Sequence, residues 1–263
     1  MIHTLFYDDP SVLTCILLVV TMLLFVRIGI SMAERKRRKN YIKGEDGFGP
    51  IEASLLGLVA FLIGFTFSMA LSRYEARREV MISECNMIGT AILRTDLYPD
   101  SLKQLFRADF KDYVNSRIAY YECGSNNTEI QNSLKQCSEI SSRIWKRALA
   151  FSSKLNSPFV ISNQMIPALN QMIDIVTTRD DEMNFHIPDS IIVFLFILCL
   201  VGSFVIGYSM HRSKLDWLIL VSFCLMISIS FYMILDLDKP TMGLIHLNDP
   251  QQKMIELLHL FDK

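Results

Sequence analysis

The sequence predicts an all-α membrane protein: four transmembrane helices with a helical bundle inserted between the second and the third. Two observations carry this. Four apolar runs, 11–30, 51–71, 190–210 and 215–235, are each about 20 residues long, enough to cross roughly 30 Å of hydrocarbon as a helix. Within 72–189 the apolar residues recur at helical spacing, with no β-type alternation. Composition alone, 51% hydrophobic over 263 residues, would also suit one large globular domain. The distribution decides, because buried soluble helices are seldom apolar all round for so long. Arg27 and Glu52 are the ionisable exceptions, placed near span ends where side chains reach the interface. The predicted organisation is 1–71 with spans one and two, 72–189 as an extramembrane bundle, 190–235 with spans three and four, and a tail at 236–263.

The first run reads as a retained span. A cleaved signal places positive charge before its apolar core. Here Asp8 and Asp9 precede the run, and Arg35, Lys36, Arg37, Arg38 and Lys39 follow it. Four spans put both termini and 72–189 on one side, with the loop 31–50 and the turn His211-Arg212-Ser213-Lys214 on the other. Both of these short connections are basic, and short basic loops stay in the cytoplasm. The expected location is therefore a bacterial inner membrane, with termini and the 72–189 domain in the periplasm. Arg73, Arg77 and Arg78 oppose this placement, partly offset by Glu75 and Glu79.

Cys15, Cys199 and Cys224 lie inside spans, where a thiol is a small packing residue. Cys123 and Cys137 flank the polar turn Gly124-Ser125-Asn126-Asn127-Thr128. A Cys123–Cys137 disulfide would tie a helical hairpin there and would require an oxidising compartment; two unrelated thiols are the alternative. Cys85 is left over.

Past Leu71 the helical pattern continues through Val80, Ile88 and Ile92 to Pro99, so the second span extends as one helix of about 48 residues, on the order of 70 Å. Ser101 is placed to cap the next helix, with Leu102, Leu105, Phe106, Phe110, Tyr113, Val114 and Ile118 on one stripe. Thr128 to Leu155 is again helical. Ser157-Pro158 starts another helix, with Pro167 inside it, that ends near Arg179-Asp180-Asp181-Glu182; Pro188 and Asp189 open the third span.

The second span carries the candidate site. Ser54, Gly57, Phe61, Gly64 and Ser68 follow steps of 3, 4, 3 and 4 and share one seam. Small residues let helices approach closely in lipid, so tight packing is one reading. The other is that copies of this helix surround an axis, with Phe61 and Phe65 as a hydrophobic constriction that gates by dewetting. Glu52 suits a helix N-terminus through the macrodipole; in an oligomer it would form a ring of carboxylates. At the other membrane face, Asp236 and Asp238 are set to pair with Arg73, Arg77 and Arg78; a metal site or ion vestibule is the alternative, though two carboxylates without nearby histidines make a sparse ligand set.

No phosphate loop, HExxH, CxxC or nucleophile-elbow pattern is present, and His3, His186, His211, His246 and His259 are scattered. The expectation is a non-enzyme without cofactor or metal, and without nucleic acid as a partner.

The run Gly57 to Arg78 (GLVAFLIGFTFSMALSRYEARR), the segment Glu84 to Arg94 and the tail Leu235 to Ile245 resemble the bacterial bestrophin-like domain family. The resemblance covers about 50–260. It extends remotely, through the layout of four spans with helices between spans two and three, to bestrophins, pentameric ion channels whose second span lines a hydrophobic neck. It implies a homo-oligomer, as a pentamer, that passes inorganic ions across the lipid bilayer. Bestrophins keep their helical domain in the cytoplasm, opposite to the charge reading here, and their acidic calcium clasp is not seen. The alternative function is a non-conducting membrane sensor or scaffold whose extramembrane helices bind a partner.

Overall fold

The structure, a computed structural model, describes residues 11–39, 49–123, 127–154, 158–209, 217–239 and 248–262. Among the described residues eight helices follow in order: α1 Ser11–Lys39, α2 Gly49–Arg94, α3 Asp100–Glu122, α4 Asn127–Ser152, α5 Phe159–Asn184, α6 Asp189–Ser209, α7 Trp217–Asp238 and α8 Asn248–Glu256. Single 3₁₀ segments follow α2 (Thr95–Leu97) and α8 (Leu257–Phe261). Among the described residues there is no strand, as the period-3.6 patterning requires. Four helical segments, Val12–Lys36, Gly49–Leu97, Phe159–Ser209 and Trp217–Asp238, are long and apolar enough to cross a membrane.

Prolines set the helix boundaries. The residue before a proline is driven out of the α region, and Tyr98 is extended at φ −88°, ψ 156°, which ends the α2 pattern just before Pro99. The start of α3 departs from expectation. Ser101 does not cap it; the helix begins at Asp100, and the Pro99 carbonyl accepts from the Leu102 and Lys103 amides at 2.9 Å. Helix α5 runs through Pro167 without interruption. One turn upstream of that proline, the Gln164 carbonyl accepts from the Arg94 guanidinium.

The chain divides into two compact units, Met1–Tyr74 with His186–Ile245, and Glu75–Phe185 with His246–Lys263. In the first, Leu18 and Met22 of α1, Ile192 and Leu195 of α6, and Phe231 and Ile234 of α7 are fully buried around one core. The closest approach there is made by two glycines. A Cβ on Gly207 would sit 2.2 Å from the Val26 carbonyl oxygen, and one on Gly29 2.3 Å from that of Phe204. Only glycine lets α1 and α6 backbones meet so closely.

The second unit packs Ile88 and Ile92 of α2, Phe106, Phe110, Tyr113 and Val114 of α3, Ile144 of α4, and Met165, Leu169 and Met172 of α5. Of the α3 stripe read from sequence, Leu105 instead faces out at 47% exposure. Met254 of α8 is fully buried in the same core, so α8 belongs to the bundle.

Candidate functional site

At about 100° per residue, Ser54, Gly57, Phe61, Gly64, Phe65 and Ser68 fall within a strip about 100° wide on α2. All six are exposed. Phe61 is 66% and Phe65 51% exposed, and their rings stack at 6.3 Å with 13° between planes. A Cβ on Gly57 or Gly64 would meet nothing within 4 Å. The small residues of this seam therefore do not serve packing within the chain, unlike Gly29 and Gly207.

Glu52 does not belong to that strip. It lies nine residues before Phe61, two and a half turns, and so about 180° away. It shares the opposite face with Val59, Thr66 and Ala70, which are 3%, 0% and 0% exposed. Its carboxylate accepts a hydrogen bond from the Ser209 hydroxyl at 2.7 Å, joining the start of α2 to the end of α6. The carboxylate ring expected at Glu52 is thus corrected: the residue closes a helix-end contact.

Two of the charges expected at the membrane exit, Arg77 and Asp238, make contacts to backbone groups. Arg77 is 1% exposed and donates through Nε to the Glu182 carbonyl at 3.2 Å and through Nη2 to the Phe185 carbonyl at 2.6 Å. It caps the C-terminal end of α5, where the helix dipole favours a cation. Asp238, fully buried, accepts from the Ile187 amide through both carboxylate oxygens at 3.2 and 3.1 Å, and the His186 ring meets its backbone oxygen at 3.1 Å. Asp236 is 1% exposed; Arg73 is half-buried and Arg78 exposed.

The Cys123–Cys137 bridge is not formed: neither residue takes part in a disulfide. The register of the α3–α4 hairpin explains it. Cys137 faces Ser116 (Sγ–Oγ 3.0 Å), whereas Cys123 lies against Ser133 at 3.6 Å and donates to the Ala119 carbonyl at 3.1 Å. Ser133 is one turn before Cys137 on α4, so the thiols sit about a turn apart, far beyond the bond length of about 2.05 Å.

Sequence reading missed a buried charge cluster in the second unit. Glu84 of α2, Arg117 of α3 and Arg179 of α5 are 0%, 1% and 3% exposed. Arg117 Nε donates to Glu84 Oε1 at 2.5 Å, Arg179 Nη1 to Oε2 at 3.2 Å, and the Tyr121 hydroxyl to Oε2 at 3.4 Å. Both guanidiniums also lie on the Tyr120 ring, at 4.8 and 4.6 Å, and that of Arg179 lies 4.1 Å from the Tyr121 centroid. Burial by itself raises the Glu84 carboxyl, but the two guanidinium charges and their hydrogen bonds outweigh it and hold it below the usual carboxylate range. The signal was present: Glu84 is placed at core spacing between Met81 and Ile88, and Arg179 lies seven and four residues after Met172 and Ile175, all buried. A single charge in an apolar stripe is ambiguous; three of mixed sign on separate helices point to mutual burial.

The architecture has clear relatives. A point variant of a bacterial bestrophin homologue from Klebsiella pneumoniae superposes with a TM-score of 0.70 at 12% identity, covering 97% of this chain and 99% of that one. A second crystal structure of the Klebsiella pneumoniae homologue, phased with zinc, gives 0.69 at 12% identity over 94% and 98%. At such identity the likeness is one of fold. No match was found among curated proteins. The sequence itself matches the Bestrophin-like domain over residues 13–249. The chain therefore belongs to the Bestrophin-like domain family.

Proposed function

We propose that this chain assembles as a homo-pentamer in a bacterial inner membrane and conducts inorganic ions along an axis lined by α2, with Phe61 and Phe65 as the constriction. One observation carries the proposal: the face of α2 bearing Ser54, Gly57, Phe61, Gly64, Phe65 and Ser68 is unpartnered within its own chain, while the face opposite is buried. Its chemistry also differs from a lipid-facing surface. Beyond Trp217 at its start, the exposed apolar residues of α7 are Leu218, Ile219, Leu225, Met226 and Ile229, bulky non-aromatic side chains suited to acyl chains. The α2 strip instead alternates small and hydroxylated residues with two stacked rings. In a ring of copies, the glycines allow close approach, and the phenylalanines form an apolar girdle that opposes water entry. The bestrophin resemblance supplies the number five.

The basic end of α1, with Arg35, Lys36 and Arg38 exposed, supports a cytoplasmic α1–α2 connection. Residues 72–189 and both termini are then periplasmic.

Light scattering on the detergent-solubilised protein, followed by ion flux in liposomes, tests the assembly and its pore together. The expected result is a pentamer whose flux rises in Phe61→Ala and Phe65→Ala and rises further in the double variant. A monomer or dimer removes the axis and leaves the membrane sensor or scaffold reading. A pentamer whose flux ignores both substitutions places the constriction elsewhere.

A further inference from the structure

The Glu84 cluster is not balanced. Two guanidiniums and one carboxylate leave one net positive charge among groups that are at most 3% exposed. Two of their donors are also unsatisfied: Arg117 Nη1 and Arg179 Nε are buried and have no hydrogen-bond partner. Buried donors are normally paired, and an exception points to strain, a functional role, or a bound water or ion. A water molecule would satisfy a donor but would leave the charge. An uncompensated buried charge is costly, and the single neighbouring carboxylate, already accepting from Arg117, Arg179 and Tyr121, offsets only one of the two positive charges. The rings of Tyr120 and Tyr121 supply partial compensation through their π-faces. Both rings are half-buried and cover the cluster.

We propose that the Glu84–Arg117–Arg179 cluster is a binding site for one small monovalent inorganic anion, held by Arg117 Nη1 and Arg179 Nε beneath Tyr120. The anion neutralises the remaining charge and completes the hydrogen bonding of both guanidiniums, locking α2, α3 and α5 to one another. Small size is required because the site is closed by rings and lies among buried groups. A halide meets this requirement; an anion the size of gluconate does not. The site is separate from the α2 strip and holds whether or not the chain conducts.

The full-length protein in detergent would be melted in chloride, bromide and gluconate at constant ionic strength and pH. Chloride and bromide should each raise the melting temperature saturably over gluconate, by about 3–6 °C at tenfold excess over the dissociation constant. Arg179→Gln, which makes the cluster a neutral pair, should lose that response. Glu84→Gln, which removes the internal counter-charge, should enlarge it. Equal melting of wild type in all three salts, or an undiminished halide response in Arg179→Gln, overturns the proposal. Should either variant fail to fold, anomalous diffraction from bromide-soaked wild-type crystals decides. A peak within hydrogen-bond reach of Arg117 Nη1 and Arg179 Nε supports the site, and a featureless cluster refutes it.

Discussion

Gly207→Ala tests the packing of the first unit most directly, because the added methyl meets only backbone. Its Cβ would lie 2.2 Å from the Val26 carbonyl oxygen and 2.8 Å from the Val26 carbonyl carbon and Cα. None of these atoms can rotate away, and an ordinary contact needs about 3.5 Å, so α1 and α6 must separate by roughly 1 Å. A gap of that size forfeits about a quarter to a half of the dispersion energy along the contact, and forced overpacking costs about 1–3 kcal/mol. Replacing a helical glycine returns about 0.5–1 kcal/mol of backbone entropy. The net expectation is a loss of about 1–2 kcal/mol, or roughly 2–8 °C of melting temperature for a chain near this size. Gly29→Ala should behave alike, since its Cβ meets Phe204 O at 2.3 Å and Tyr208 N at 2.8 Å. The double variant should cost less than the sum, because helices already spread by one methyl accommodate the second. Gly57→Ala and Gly64→Ala are the controls: with nothing within 4 Å, neither should lower the melting temperature of the dissociated chain. Thermal melting in detergent reads all five. Gly207→Ala melting within about a degree of wild type would show that the α1 and α6 backbones are not in close contact.

The remaining predictions concern the bundle and its thiols. Glu84 is held below its ordinary 4.5, so its contribution to stability is complete above that pH and is lost as pH falls toward the folded value. Melting followed downward from pH 4.5 should show a limb that Glu84→Gln removes, and a limb unchanged in that variant would assign the acid sensitivity elsewhere. At neutral pH the same substitution should cost about 3–5 kcal/mol, because it leaves two buried guanidiniums against a neutral group. Of the six cysteines, only Cys123 is not buried, and burial pushes the Cys85 thiol up to about 11. A membrane-impermeant maleimide should therefore modify one thiol per folded chain, lost in Cys123→Ser. Labelling of intact spheroplasts through Cys123 would confirm a periplasmic bundle; labelling only after lysis would reverse the orientation.

The four spans and the helical insert were legible because hydrophobic length and period are properties of single segments. The long α2 was read the same way: nothing between Leu71 and Pro99 breaks a helix, and the pattern runs from Gly49 to Arg94 with one 3₁₀ turn beyond. Errors arose where an assignment needed the partner of a side chain. Glu52 was grouped with the α2 seam by proximity in sequence, although helical phase already put it on the far side and the Ser209 bond confirms that face. Cys123 and Cys137 were paired because they bracket a turn, but hairpin register decides which residues meet, and register is fixed by the core packing of Phe110, Val114 and Ile144. Arg77 also caps α5, a role with no sequence signal, since carbonyls at a helix end bind a guanidinium whatever side chains surround them.

The two glycine pairs show how the same residue type acquires opposite meaning. Gly29 and Gly207 are spent inside the chain, where backbone meets backbone. Gly57 and Gly64 follow the same small-residue logic, yet have no neighbour within 4 Å. A glycine in a transmembrane helix interior costs about 0.5–1 kcal/mol relative to alanine, and nothing within one chain offsets that cost on α2. The proposed assembly supplies the offset from outside the chain. Acyl chains gain nothing from a missing methyl, whereas a second helix at close approach does. In the proposed assembly that second helix is the α2 of another copy, and Gly57→Leu and Gly64→Leu should then leave the single chain folded while dissociating the assembly.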